Sequence, residues 1–442
     1  MSVLYDISNL SQNTKYKIIN DLTIKQKETK FNKNPKPIYT FKFDDEINIL
    51  QKNNNKLLIP FSYAYHNNII NNKEYSKCDY KFIGKLNDKQ LLVKKEIFDI
   101  LNETRSIILS FHVGYGKTIY CIYLLSKLKY KSIIILNRIN LIQQWKSAIK
   151  KFCPSAKIQI IESKTQIDKE CDIYLINIIT VQKRNPNDFK DIGVIVSDES
   201  HLLCSDVYSK CLLYFQPKYS ISLTATPYRD DGLHYILELY FGPNIISKEL
   251  WYPCNIYYIK TGFKPLVEKT DRGVNWGSVL KSQYECEFRN NLIIKIARYF
   301  KSRNFLILCK YKNQCKYIYD NLRIFENTEL FIGDSDDFDT ECRILISTFS
   351  KVGVGFDFPK LDGLIIASDV ESQIIQYYGR VFRRDDKIPI IFDFIDNFGP
   401  LYKHWKTRQN IYNKSGGITR DFNKYFPEFY DYWNNNIDII FK

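Results

Sequence analysis

Ser106-Ile107-Ile108-Leu109-Ser110-Phe111-His112-Val113-Gly114-Tyr115-Gly116-Lys117-Thr118 is the stretch on which the fold turns. Its first five residues read as a buried strand, the glycines as a tight loop, and Ile119 to Leu128 as the helix that follows. A loop that cradles phosphate needs glycines where the backbone curls around anionic oxygens. It also needs a lysine to reach the terminal phosphates and a hydroxyl to hold Mg²⁺. Gly114, Gly116, Lys117 and Thr118 supply these, and a helix starting near Lys117 would aim its amino end at the phosphates. Phe111 departs from the strict pattern, which has glycine there. Taken alone, the stretch could also be a glycine-bearing strand-to-helix turn with an incidental lysine.

Outward from this loop, strands and helices alternate. Gln90 to Leu101 has helical periodicity. Ser132 to Leu136, Ile173 to Ile176 and Gly193 to Val196 read as strands, and Ile139 to Lys150 as a further helix. The same alternation returns later, with helices at Asn291 to Phe300, Gln314 to Leu322 and Gln373 to Val381. The strands of that second run are Phe305 to Cys309, Ile344 to Ser347, Gly363 to Ala367 and Ile388 to Phe394. Alternation of this kind implies parallel sheets covered on both faces. The expected fold is α/β, with two tandem domains at 81–245 and 286–400, an entry strand followed by a connector or insertion at 246–285, and a helical and aromatic tail at 401–442. Residues 1–80 read as a small β-containing accessory domain with strands at Pro37 to Phe43 and Leu57 to Phe61, separated by the polar Asn53-Asn54-Asn55. Trp433 and the asparagines after it are expected near the surface.

Asp198 and Glu199 follow the apolar Val194-Ile195-Val196. An acidic pair at the end of a buried strand, downstream of a phosphate loop, can place one carboxylate on Mg²⁺ and the other on the attacking water. Arg380 and Arg383 lie three apart on a predicted helix, hence on one face, where permanent charge could neutralise a transferring phosphoryl group. A solvated basic helix face would have the same spacing.

Composition narrows the partners. The 442 residues include 64 Lys and Arg against 49 Asp and Glu, a net charge of +15 that favours a polyanion and makes nucleic acid the first partner to test. Eleven scattered cysteines without a Cys-x-x-Cys pair, beside five histidines, suggest neither structural zinc nor a disulfide framework. The opening Met1-Ser2-Val3-Leu4-Tyr5-Asp6 lacks a signal-peptide layout, and no apolar run approaches a membrane span. A soluble intracellular protein is expected, with no membrane partner.

With these motifs in order, residues 81 to 395 resemble the superfamily 2 helicases and translocases. Within them, the branch of the XPB-type DNA helicases and the poxvirus transcript-release helicase is the most similar, which, with the AT-rich composition, points to a large DNA virus. Such a source would place the protein in the virion and the host cytoplasm or viral factory. The resemblance implies two RecA-like domains that use ATP and Mg²⁺, with the nucleotide between them. It implies that Gln90 senses adenine, Lys117 and Thr118 hold phosphate and metal, Asp198 the metal, and Glu199 acts as base. His201, Thr224, Thr226 and Gln376 would couple nucleotide to strand, Gly355 and Asp357 would touch nucleotide, and Arg380 and Arg383 would be fingers. Candidate nucleic-acid contacts are Arg138, Thr180, Gln182 and Thr348, while Trp145 reads as a packing residue. The box Asp198-Glu199-Ser200-His201 departs from the commoner Asp-Glu-Ala-His. The implied function is an ATP-dependent DNA helicase or translocase, with transcription machinery as a possible partner. The alternatives are an RNA helicase and a nucleic-acid scaffold with a vestigial ATPase.

Overall fold

The computed structural model describes the chain apart from residues 1, 26–27, 29–34, 44–55, 70–72, 113, 226, 229–230, 250, 272, 334, 336, 353–355, 357, 372–373, 383, 385 and 435–442. The chain divides into two units, residues 1–249 and 250–442. Each carries a seven-stranded parallel sheet, so the α/β class with two RecA-like cores holds.

In the first unit the sheet runs, edge to edge, through Ile245–Lys248, Ser106–Phe111, Tyr219–Thr224, Val194–Asp198, Ser132–Leu136, Ile173–Asn177 and Ile158–Ile161. The second, third and fourth of these are buried at every residue, which explains why their sequences are apolar runs with small hydroxyls among them and a charge, Asp198, only at a carboxyl end. Asp198 lies level with Leu223, and Thr224 level with Ser110. The glycine loop, Thr224 and the acidic pair therefore all leave the same carboxyl edge, where ligands of such sheets collect. Helix Asp88–Thr104 begins on a capping box of Asn87 and Gln90 and stops at Arg105, whose φ of 60° no helix can continue.

The accessory region is present and is welded to this sheet. Strand Ser2–Asp6 pairs antiparallel with Lys56–Pro60, which also pairs with Lys42–Phe43. Pro37 to Phe43 is not one strand. Ile38–Tyr39 pairs with Thr23–Ile24, and the chain turns at buried Thr40, whose amide and hydroxyl both donate to the Leu22 carbonyl. The other predicted run ends at Pro60, and Phe61 opens the helix Phe61–His66. The Asn53 to Asn55 break lies outside the described residues. Leu22, Ile59 and Ala64 are fully buried in one core with Ile108, Tyr240 and Phe241. Cutting Ile59 to Ala should cost about 2–4 kcal/mol, as for other buried large-to-small changes, and lower the denaturation midpoint of the whole first unit. A normal midpoint would mark the region as an independent appendage.

In the second unit the order is Thr328–Phe331, Ile344–Thr348, Phe305–Cys309, Gly363–Ile366, Ile390–Ile395, Cys254–Lys260 and Gly417–Asp421. Residues near both ends of the unit thus complete its sheet. Helix Gly399–Lys414 is pinned by Arg408, whose guanidinium donates at 2.8 Å to each oxygen of buried Asp393. Two expectations are overturned here. Trp433 is buried, packed in the core with Phe422 and Phe429. The Gln373–Val381 helix is only Ile374–Tyr378, so Arg380 lies in the turn beyond it, closed by its amide bond to the Tyr377 carbonyl. Arg380 therefore stands on no face of that helix, and Arg383 lies outside the described residues.

Among the described residues no helix is long and apolar enough to cross a membrane.

Candidate active site

The phosphate loop is built by conformation before any ligand is considered. Gly114 and Gly116 have φ of 91° and 87°, a region open to glycine and strained for other residues. Gly116 caps the helix Lys117–Leu128, whose first amides face the loop. A Cβ on Gly116 would lie 2.7 Å from the Gln90 amide nitrogen, so this position has no room either. Lys117 extends its ammonium back to the Phe111 carbonyl at 2.8 Å. Phe111 itself is a strand residue, wholly buried against Tyr115 with ring centroids 4.3 Å apart, which is why an aromatic is accommodated where the strict pattern has glycine.

Gln90 is nearly enclosed, and both ends of its amide are engaged. Its oxygen accepts from the Asn87 backbone, and its nitrogen donates to the Tyr115 and Gly116 carbonyls at 3.2 and 3.4 Å. The side chain thus ties the cap of one helix to the loop that opens the next.

Across the carboxyl edge, Asp198 is 8 % exposed. Burial, followed by the neighbouring Glu199 carboxylate, pushes its carboxyl up to about 6, against the pull of the Trp145 indole and the Lys117 ammonium. Its Oδ1 accepts the Glu199 amide at 3.0 Å and its Oδ2 the Trp145 indole N–H at 2.9 Å. Glu199 sits at φ 49°, ψ 46°, a left-handed position uncommon for a residue with a Cβ. From it the carboxylate Oε2 lies 3.5 Å from His201 Nδ1, which is also 3.0 Å from the Thr224 hydroxyl. Ser200 turns inward to a buried hydroxyl pair with Ser222, a role an alanine could not fill.

Gln90, Gly116 and Lys117 are therefore gathered at one end of the site, and Asp198, Glu199, His201 and Thr224 at the other. Thr118 is half-buried on the first turn of the loop helix. A buried carboxylate whose ionisation is costly, a cation resting on a carbonyl, and a glycine nest together fit a Mg²⁺–triphosphate, with Thr118 and Asp198 as metal ligands.

The remaining candidates are dispersed. Arg138 is exposed at the cap of Ile139–Phe152, Gln182 is exposed after the short helix Ile178–Val181, and Thr180 is half-buried within it. In the second unit Thr348 is buried, with its hydroxyl 3.2 Å from that of Ser350. Arg380 is also buried and donates to the Phe356 carbonyl. Gln376 lies on the Ile374–Tyr378 helix. Thr226, Gly355, Asp357 and Arg383 lie outside the described residues.

Trp145 is the residue whose role was missed. It packs in the core as expected, yet its single donor serves the carboxylate proposed for the metal. Nothing local signals a contact across 53 positions. Replacing Trp145 by Phe keeps most of the packing and removes that donor. A hydrogen bond to a charged group contributes about 1.5–3 kcal/mol, so Asp198 should hold its proton to a pH about one unit higher or more. Ionised Asp198 is the form that binds metal, so the acid limb of the ATPase pH profile should move upward. An unmoved limb would separate Trp145 from the chemistry.

Comparison with known proteins gives concordant relatives. The sequence signature of the family described as type III restriction enzyme, res subunit, matches residues 67–229. A protein of Invertebrate iridescent virus 6, itself assigned as a helicase by inference, is 36% identical over 409 residues, covering 86% of this chain and 92% of the relative. A protein of Acanthamoeba polyphaga mimivirus, assigned by inference as an ATP-dependent RNA helicase, is 24% identical over 87% of this chain and 80% of its own. A transcript termination protein of Fowlpox virus is 24% identical, with 80% and 86% covered.

Proposed function

This chain belongs to the helicases, the family of its iridovirus relative, and we propose that within them it is a superfamily 2 motor whose track is RNA, acting on transcripts. That it is an ATP-dependent enzyme of the helicase or translocase type acting on nucleic acid follows from the family. The identity of the strand is our reading. The sequence by itself favoured DNA. The comparisons weigh more toward the RNA alternative, since the mimivirus relative is named for RNA and the fowlpox relative for transcripts. The finer kinship with XPB-type helicases rests on motif order alone.

The observation that carries the hydrolytic part is the buried Asp198 carboxylate, held between the Glu199 amide and the Trp145 indole at the strand edge it shares with the phosphate loop. When bound, Mg²⁺–ATP supplies the scissile phosphoanhydride and the charge that the ionised carboxylate answers. The chain's own groups do the rest. The amides of the loop and the first helical turn bind the anionic oxygens, and Lys117 leaves the Phe111 carbonyl for the terminal phosphates. Glu199 orients the attacking water and takes its proton. Through the contacts of His201 with Glu199 and Thr224, a change at the base reaches the loop after Thr224. Gln90 holds the phosphate loop in register. Its sensing of adenine, implied by the resemblance, requires it to release the Tyr115 and Gly116 carbonyls.

The test is the steady-state ATPase rate with no effector, single-stranded RNA, single-stranded DNA and duplex DNA, against Lys117→Ala. Stimulation of about tenfold or more by RNA, and much less by DNA, is expected. Stimulation by DNA alone would restore the DNA reading. Absence of Lys117-dependent turnover under every condition would favour a scaffold.

A further inference from the structure

In the second unit, a cavity of about 450 Å³ lies between helix Glu287–Tyr299, helix Lys312–Leu322 and the C-terminal helix Glu428–Asn434. Its walls are largely apolar, with Phe288, Leu292, Phe325, Phe429 and Trp433 among them. Arg298 opens into it. This side chain is 8 % exposed, with its guanidinium carbon 3.7 Å from the Phe325 ring centroid and 5.1 Å from that of Trp433. The two rings fix the plane of the guanidinium and leave its edge as the polar face. Among the described residues no oxygen accepts from that edge. Glu326 is the carboxylate that acts on it most, and its Oε2 holds Arg343 at 2.9 and 2.7 Å.

Two further groups share the deficit. The buried indole N–H of Trp433 has no acceptor among the described residues, and Lys295, also on the cavity wall, has its ammonium 5.9 Å from the Trp433 ring centroid. Burying a guanidinium between aromatic rings is costly where no anion sits against it, and Glu287, the carboxylate on the cavity wall, stands eleven residues away on the same helix, about 16 Å along its axis. Stacking combined with a free donor edge suits arginine for gripping an oxyanion in two places. The cavity size is that of a small-molecule site. Arg298 and Phe325 lie shortly before the strands Phe305–Cys309 and Thr328–Phe331, toward their amino ends. Thr348 closes the opposite, carboxyl end of its strand. The Arg298 end of the cavity thus lies at the opposite strand ends from Thr348.

We propose that this cavity is a binding site for a small ligand with a flat apolar body and one oxyanion, the body lying among Phe288, Leu292 and Phe429 and the oxyanion on Arg298. Carboxylate and phosphate share the required chemistry, and three probes of one shape separate them: 2-naphthoate, 2-naphthyl phosphate and the neutral 2-naphthamide. Binding to the full chain is measured by calorimetry and by ¹⁹F resonances of 5-fluorotryptophan at the five tryptophans, with Trp433→Phe assigning the relevant signal. At least one anion should bind tenfold or more tightly than the amide and shift the Trp433 resonance. Arg298→Met, which keeps the stem of the side chain, should remove that preference and leave amide binding unchanged. The tighter anion identifies the oxyanion class. Equal binding of amide and anions, or anion binding that leaves Trp433 unmoved, would overturn the proposal, and both readings use the parent protein, so they stand even if the variant does not fold.

Discussion

Glu199→Gln should bind ATP as tightly as the parent protein and turn it over about 10²–10⁴ times more slowly, the range in which a positioned general base contributes. The substitution keeps length and shape and removes the negative charge, and with it the ability to take a proton. The backbone at Glu199 is the reason to expect a clean separation. Its left-handed φ of 49° is held by the amide bond to Asp198 and by the start of the Ser200–Leu203 turn, neither of which involves the altered atoms. Nucleotide affinity by equilibrium binding and turnover by phosphate release check the two halves. Unimpaired turnover would remove Glu199 from the role of base, and lost affinity with lost turnover would make it a binding residue.

Arg383→Ala should lower nucleic-acid-stimulated turnover by about 10³, the order of effect of an arginine supplied to a phosphoryl-transfer site, while changing nucleic-acid affinity only a few-fold. Arg380 provides the internal contrast. It lies buried in the turn after the Ile374–Tyr378 helix and donates to the Phe356 carbonyl. Its removal leaves a buried carbonyl short of a donor, and Arg380→Ala should lower the thermal midpoint as well as activity. If both variants lose affinity and turnover in equal measure, the finger assignment of Arg383 falls.

The contrast between the two arginines shows where sequence reading reaches its limit. The central strands were legible because burial on both faces leaves an uninterrupted apolar run, as in Ile107 to Leu109 and Val194 to Val196. Edge strands were not, since Ile158–Ile161 is only partly buried and Gly417–Asp421 ends in Arg420 and Asp421. The phosphate loop and acidic pair were legible because their chemistry is local and demands particular residue types. Contacts made across the chain leave no local pattern. The Trp145 bond to Asp198 and the burial of Trp433 beneath Arg298 exist only once the sheets are assembled. Gln90 shows a third kind of limit. Its position ahead of the loop is readable, but its engagement with both Asn87 and the loop carbonyls depends on a helix start that only the fold defines.

We propose that ATP hydrolysis at Lys117, Asp198 and Glu199 drives movement on nucleic acid. Displacement of a labelled strand from a duplex with a single-stranded RNA tail tests it most directly, in the parent protein and in Lys117→Ala. Displacement that requires hydrolysable ATP and disappears with Lys117 is the expected result. Displacement that proceeds equally without ATP, or persists in Lys117→Ala, would contradict it.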